Sequence, residues 1–393
     1  MRILIHALSA RLGGGQTYLT NLLSVPPDPN DVEIFLLAPD SLEIPGNSAS
    51  LTRVPVSPLV ENPVTRAVWE RIFLPRLVRR LKADVLFCPG GIIGARVPHE
   101  CKTVTMFRNT MPFDRRQRQR YPWGYMRARN WVLRRLMLHS LAKADGVIFL
   151  SNFGRQVIER YLPSLGERAV VIPHGVHPAF HAQSNPRLRW LPACAYLLYV
   201  SILDVYKAQK EVVRAFGILR QQRATREKLI LAGPARPGYE RCVRREIARL
   251  GLENDVLLVG DVPRKELPAL YQHAAINLFA SECENCPNIL IEMLASGRPL
   301  LCSNCPPMPE IAGDAAIYFD PRSPEDLAEK LLGVMDSPAR LRELSEKARK
   351  RSESFDWAAS AHATWDWIRK IAAQPALEFQ THEEPAALQE QIR

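Results

Sequence analysis

Short apolar runs alternate along the chain with longer stretches in which apolar positions recur every three to four residues. The runs predict strands at residues 3–8, 33–38, 85–88, 103–107, 146–150 and 169–172 in the first half of the chain. A second series follows at 196–201, 228–232, 256–259, 275–279 and 299–302. The longer period predicts helices at 16–23, 64–81 and 131–142, then at 211–220, 239–250, 264–272, 324–335, 339–354 and from 357 to about 371. Strands alternating with helices build parallel sheets covered on both faces, the α/β class. The alternation runs twice, and 393 residues exceed one typical core, so two domains are expected.

Residues 170–180 are rich in turn formers and mark the junction. The expected division is residues 1–185, residues 186–355, a last helix over 356–373, and a loosely held tail over 374–393 with Pro375, Pro385 and many Glu and Gln. His174 and His177 lie at this junction, where loop histidines are ordinarily structural.

The chemistry concentrates in residues 279–299, FASECENCPNILIEMLASGRP. A strand ends there in a polar loop, and a helix is predicted to open with Pro287 at its first position and to close at Gly297. Glu284 lies before the helix and Glu292 eight residues later, inside it. Free N–H groups at Asn288, Ile289 and Leu290 would seat a phosphate at the helix start. A phosphate cradle flanked by two carboxylates suits a sugar nucleotide, with the cradle on the diphosphate and the carboxylates on sugar hydroxyls. The competing pattern is two Cys-x2-Cys pairs, Cys283/Cys286 and Cys302/Cys305, fifteen residues apart. Zinc ribbons place such pairs on hairpin turns, whereas a helix about 15 Å long is predicted between these two. Small buried thiols are therefore expected, and no metal site.

Glu284-x7-Glu292, followed by Ala295-Ser296-Gly297-Arg298-Pro299, resembles the donor-site motif of retaining glycosyltransferases of family 4 with the GT-B fold. Gly-Phe-Gly usually follows the first Glu, where this chain has Asn285-Cys286-Pro287. The resemblance implies two Rossmann-like domains facing across a cleft, with a C-terminal helix crossing back to the N-terminal domain. It implies transfer of a sugar, with retained configuration, from a nucleotide diphosphate-sugar to a hydroxyl of a saccharide or lipid-linked acceptor. Glu284 is then the catalytic residue against the transferred sugar, and Glu292 binds the ribose hydroxyls. Lys207 and the helix start at Asn288, Ile289 and Leu290 take the diphosphate. Gly260 and Val262, in the loop 259–262, read the nucleobase, and Glu310 matches a further acidic position. An arginine usually precedes the lysine, and Ile202 stands there instead, leaving Lys210, Arg214 or Arg108 to compensate. Arg108 and Asn109 occupy the acceptor-side position of a His-Asp pair. The triple glycine 13–15 either brings Gly15 to the donor phosphate or acceptor, or is a tight strand-to-helix turn; Tyr18 stands where a dinucleotide fingerprint has its third glycine. With no Asp-x-Asp in the sequence, neither a metal-bridged diphosphate nor a cofactor is expected.

Charge adds one distinction. The net charge is +11, and all of the excess lies within residues 1–185. Residues 115–144 hold no acidic side chain and interleave nine Arg and Lys with Tyr121, Trp123, Tyr125 and Trp131. Residues 68–81 form a second basic amphipathic stretch. Basic residues with aromatics suit an anionic membrane interface, single-stranded nucleic acid, or a merely solvated helix face. Two such stretches, over 66–82 and 115–139, favour peripheral membrane contact over nucleic acid. No run of about eighteen apolar residues predicts a span. The short apolar N-terminus reads as a strand rather than a signal peptide, and eight cysteines without one point to a cytoplasmic location, at the inner membrane face. A nucleotide-sugar or nucleic-acid binding protein without catalysis is the alternative function.

Overall fold

A computed structural model describes residues 1–10, 13–42, 51–181, 184–223, 226–236 and 238–375. The expected tail lies outside the described residues from 376 onward. The chain forms two compact units. One comprises Met1–Phe113, Trp123–Pro173 and the chain from Trp357; the other comprises Asp114–Pro122 and His174–Asp356. Each unit is an α/β domain of Rossmann-like type built on a parallel sheet.

The first sheet contains β1 (Arg2–His6), β2 (Glu33–Leu37), β3 (Leu51–Arg53), β4 (Val85–Cys88), β5 (Lys102–Phe107), β6 (Gly146–Phe149) and β7 (Ala169–Val171). Their order is β3-β2-β1-β4-β5-β6-β7, all parallel. The central strands are buried along their length, as a sheet covered on both faces requires. The last helix, Trp357–Ala372, packs into this unit. Trp357 meets Tyr18 edge-on at 6.2 Å, and Trp365 Nε1 donates to the Val25 carbonyl at 2.8 Å. Tyr18, in the place of a fingerprint glycine, is thus a core residue.

The second sheet contains β8 (Tyr196–Val200), β9 (Lys228–Ala232), β10 (Val256–Gly260), β11 (Ile276–Phe279), β12 (Leu300–Ser303) and β13 (Ile317–Phe319). Their order is β10-β9-β8-β11-β12-β13, again all parallel. The strands β3 and β13 were not expected from the sequence, whereas β7, equally short, was. Nor was the helix Arg115–Arg120 expected, and the helix predicted at 131 begins at Tyr125. Residues 114–122, placed on sequence in the first domain, belong to the second unit.

Backbone approach fixes Gly233, just past β9. It has φ +136°, and a Cβ there would meet the Ser201 carbonyl oxygen at 2.1 Å. Gly15 differs: a Cβ would meet nothing closer than Ala10 at 3.4 Å. Gly233→Ala is expected to cost more than about 2 kcal/mol in urea unfolding, whereas Gly15→Ala should change stability by no more than about 1 kcal/mol. Equal effects of the two would contradict these backbone assignments.

Candidate functional site

In the second sheet the strand order reverses between β8 and β11, which are hydrogen-bonded neighbours with Ile276 opposite Leu197. Connections from these strands leave in opposite directions, so a crevice opens at their carboxyl ends, the usual ligand position of such sheets. Lys207 follows β8 and Glu284 follows β11, so the topology brings together two residues 77 positions apart.

Lys207 ends a single 3-10 turn, Val205–Lys207, which Asp204 caps by accepting from the Val205 N–H at 2.7 Å. Tyr199 Oη donates to the Lys207 carbonyl at 2.8 Å. The Lys207 side chain is 6% exposed, lies 5.6 Å from the Phe279 ring, and makes a direct ion pair with Glu284 Oε1. Ser281 Oγ donates to the same oxygen at 2.5 Å. Glu284 is thus held from two sides. Of the expected substitutes for the missing arginine, only Lys210 and Arg214 belong to this unit. Arg214 pairs with Glu246 at 2.8 Å, and Arg108 belongs to the first unit.

The helix beyond this loop is Asn288–Ala295. Pro287 is its N-cap, with extended backbone angles, rather than its first helical residue as the sequence implied. The Pro287 carbonyl accepts from Leu290 N at 3.0 Å and from Ile291 N at 3.3 Å. The Leu290 N–H is therefore occupied, which corrects the expectation of three free donors. No described residue accepts from the Asn288 or Ile289 N–H, and no side chain caps the helix. Two donors remain for an anion, with the positive end of the helix behind them. His174, not assigned a role on sequence, is buried beside them with Nδ1 2.7 Å from Asn288 Oδ1. His177 instead caps its own 3-10 turn through the Ala179 N–H. At the far end Gly297 has φ +63°, where a Cβ would strike the Arg349 side chain at 2.6 Å.

Glu292 lies on this helix and is buried, 5% exposed. Tyr271 Oη donates to its Oε2 at 3.3 Å, and Arg264 Nη2 is 3.7 Å from Oε1. Burial pushes the carboxyl up to about 7, opposed in part by the Arg264 charge and the tyrosine bond. Burial also pushes the Tyr271 phenol well up, which keeps it a donor. The one hydrogen bond, from Tyr271, leaves the carboxylate short of its acceptor capacity, and a pair of vicinal hydroxyls would complete it. Gly260 ends β10 at φ +70°, its carbonyl accepting from Gly233 N at 2.6 Å, and half-buried Val262 follows in the loop toward Arg264. Glu310 is half-buried, and its carbonyl takes Arg351 Nη2 at 2.7 Å.

The corresponding loops of the first unit lie at the reversal between β1 and β4. Gly13, not Gly15, needs a glycine backbone there, at φ +65° before the helix Gly14–Ser24. Arg108 Nη2 donates to the Gly14 carbonyl at 2.7 Å and its guanidinium lies 5.3 Å from the Tyr18 ring centre. Asn109 is exposed, with Oδ1 accepting from Met111 N at 3.1 Å, so its side chain caps the following turn.

Cys283, Cys286 and Cys302 are buried, and burial raises the Cys302 thiol well above its ordinary range. Among the described residues no three His, Cys, Asp or Glu side chains converge on a point where a metal ion would sit. A feature invisible in the sequence is Glu282, buried and paired with Arg120.

Two Rossmann-like parallel-sheet domains of this order define the GT-B class of glycosyltransferase fold. The family described as Glycosyl transferases group 1 matches residues 192–351, and Glycosyltransferase Family 4 matches residues 12–180. The chain belongs to the family 4, group 1 glycosyltransferases. It is 25% identical to the O-antigen chain mannosyltransferase B of Escherichia coli over 56% of this chain and 58% of that one. The chain spans about half the length of the curated relatives it matches. A glycosyltransferase from Rickettsia africae superposes with TM-score 0.72 at 16% identity, over 95% of this chain and 99% of that one. HepE of Anabaena, solved in complex with UDP, gives 0.68 at 16% over 94% and 100%. At that identity the likeness concerns the fold.

Glu292 yields a test of the site's electrostatics. Its ordinary value near 4.5 rises to about 7 on folding, so the neutral acid favours the fold. That contribution is present below about pH 4.5 and is lost as pH rises through 7. Glu292→Gln, which mimics the neutral acid, should exceed the wild type in stability by up to about 3 kcal/mol at pH 8.5 and lose that advantage near pH 5. Urea unfolding at the two pH values measures it, and a pH-independent difference would contradict the burial argument.

Proposed function

We propose that the protein is a retaining, metal-independent glycosyltransferase that moves a sugar from a nucleotide diphosphate-sugar to a hydroxyl of a saccharide or lipid-linked acceptor in glycan assembly. The observations that carry this reading are the Lys207–Glu284 ion pair formed by the loops after β8 and β11 and, on the helix that follows Glu284, the uncapped start at Asn288 and the buried Glu292. The family, and a neighbour of the same fold solved with UDP, support it.

In this mechanism the ribose hydroxyls donate to Glu292, and the nucleobase lies along Gly260 and Val262. As the bond between sugar and diphosphate breaks, negative charge collects on the leaving oxygen. Lys207 and the Asn288 and Ile289 N–H groups face that charge, already oriented. Glu284 meets the transferred sugar and steadies the positive charge that develops on it. The acceptor belongs to the first unit, where Arg108 supplies a cation.

A thermal-shift panel of UDP-, GDP- and ADP-sugars tests this reading. One of them should stabilise the protein, and the shift should vanish in Glu292→Ala. Glu284→Ala should keep the shift and lose at least about a hundredfold in transfer. A binding protein without catalysis would show the shift with no transfer by the wild type, and a nucleic-acid binder would show no shift.

We propose further that the first unit touches an anionic membrane, at the inner face. The helix Pro63–Leu81 exposes Val64, Val68, Ile72 and Phe73, with Arg76 5.8 Å from the Phe73 ring. Trp123 is 88% exposed and Tyr125 78%; Arg127 lies 4.5 Å from the Trp123 ring and Arg135 3.8 Å from that of Trp131. Exposed aromatics with arginines on their faces suit a headgroup interface. Tyr121 drops out of this set because it is buried in the second unit, which narrows the second stretch to residues 123–139. Among the described residues no helix is long and apolar enough to cross a membrane. Co-sedimentation with vesicles should rise with the fraction of phosphatidylglycerol and fall in Trp123→Ala/Trp131→Ala. Binding indifferent to anionic lipid at low salt would contradict the contact.

A further inference from the structure

Residues 114–122 lie in the sequence among elements of the first unit, yet the chain leaves that unit after Phe113 and rejoins it at Trp123. In between it forms a strap on the second unit. Asp114 caps the helix Arg115–Arg120 by accepting from Gln117 N at 2.9 Å, which orients Gln117 and Arg120 together. Gln117 Nε2 donates to Glu282 Oε2 at 3.3 Å, and Arg120 Nη1 pairs with Glu282 Oε1. The next residue, Tyr121, donates from Oη to Asp204 Oδ1 at 3.4 Å, while Arg236 Nε lies 2.5 Å from the other Asp204 oxygen.

The two carboxylates held in this way are the neighbours of the two groups at the centre of the donor crevice. Glu282 is two residues before Glu284, and Asp204 caps the turn that ends at Lys207. Both are almost fully buried, with side chains 3% and 2% exposed. The Glu282 N–H donates to the Tyr206 carbonyl at 2.8 Å, so the two loops are also tied directly. A buried carboxylate that loses its cation must move toward water or take up a proton, and Glu282 cannot move without carrying Glu284 along.

We infer that Gln117 and Arg120 are positioning residues for the donor site: through Glu282 they set where Glu284 and its partner Lys207 stand. The role rests on the donor site proposed above. Since Lys207 is assigned to the diphosphate rather than to the nucleoside, displacement of the Lys207–Glu284 pair should weaken binding of a diphosphate selectively.

The test compares UDP, GDP and ADP with UMP, GMP and AMP on the full chain by calorimetry. For the diphosphate that the wild type binds, Arg120→Met should lose about tenfold in affinity, while the matching monophosphate changes by less than about twofold. Glu282→Met should do the same, the double variant should lose no more than either single one, and Arg120→Lys should recover most of the affinity. Hydrogen exchange at residues 281–286 should speed up in Arg120→Met with that of β9 unchanged, an effect that needs no ligand. Unchanged diphosphate affinity, an equal loss for the monophosphate, or unchanged exchange at 281–286 overturns the inference. A loss in Arg120→Met that Glu282→Met does not share also overturns it, because Arg120 would then touch the ligand itself. A wild type that binds none of the three diphosphates removes the donor site, whereas faster exchange would still report the clamp on Glu282.

Discussion

The ion pair between Lys207 and Glu284 is the contact on which the second unit's crevice depends. Both side chains are largely withdrawn from water, at 6% and 15% exposure. Removing one would leave the other as a buried charge, at a cost of about 3–5 kcal/mol. The surrounding contacts serve that pair. The Tyr199 hydroxyl holds the Lys207 carbonyl, Ser281 holds the shared carboxylate oxygen, and Asp204 fixes the turn that presents the lysine. The strand order provides the setting, since only the reversal between β8 and β11 leaves their two loops facing each other with no helix between. An anionic ligand that reaches Lys207 has to share it with Glu284, so under the proposed function the pair would link phosphate binding to the position of Glu284.

The neighbouring helix trades stability for the same end. Asn288–Ala295 begins with a proline N-cap and no capping side chain, which leaves two backbone donors open. It also carries a carboxylate into the core, where burial raises Glu292 to about 7. A sequence chosen for stability alone would cap that helix and fill position 292 with an apolar residue. Both departures gain a purpose if diphosphate and ribose occupy the open positions.

Much of the architecture was legible in the chain. Apolar runs of four to six residues, separated by helical periodicity, dictate two parallel sheets, and the spacing of Glu284 and Glu292 marks out their loop and helix. What escaped notice has identifiable causes. β3 reads Leu51-Thr52-Arg53 and so leaves no apolar run to read. The helix Asn288–Ala295 starts one residue later than expected because Pro287 adopts extended angles, and its Leu290 N–H is occupied. Arg120 and Glu282 stand 162 positions apart and look like two ordinary surface charges until the fold joins them. The arginine-rich stretch reads in sequence as one surface, although capping by Asp114 splits off its first turn to the second unit and Tyr121 is buried there.

The most direct measurement is a crystal structure of the protein with the nucleoside diphosphate that stabilises it. The ribose hydroxyls should lie on Glu292, and the phosphates on Lys207 and the N–H groups of Asn288 and Ile289. A nucleotide bound instead at the carboxyl ends of β1 and β4, with Lys207 and Glu292 untouched, would contradict the placement of the donor in the second sheet.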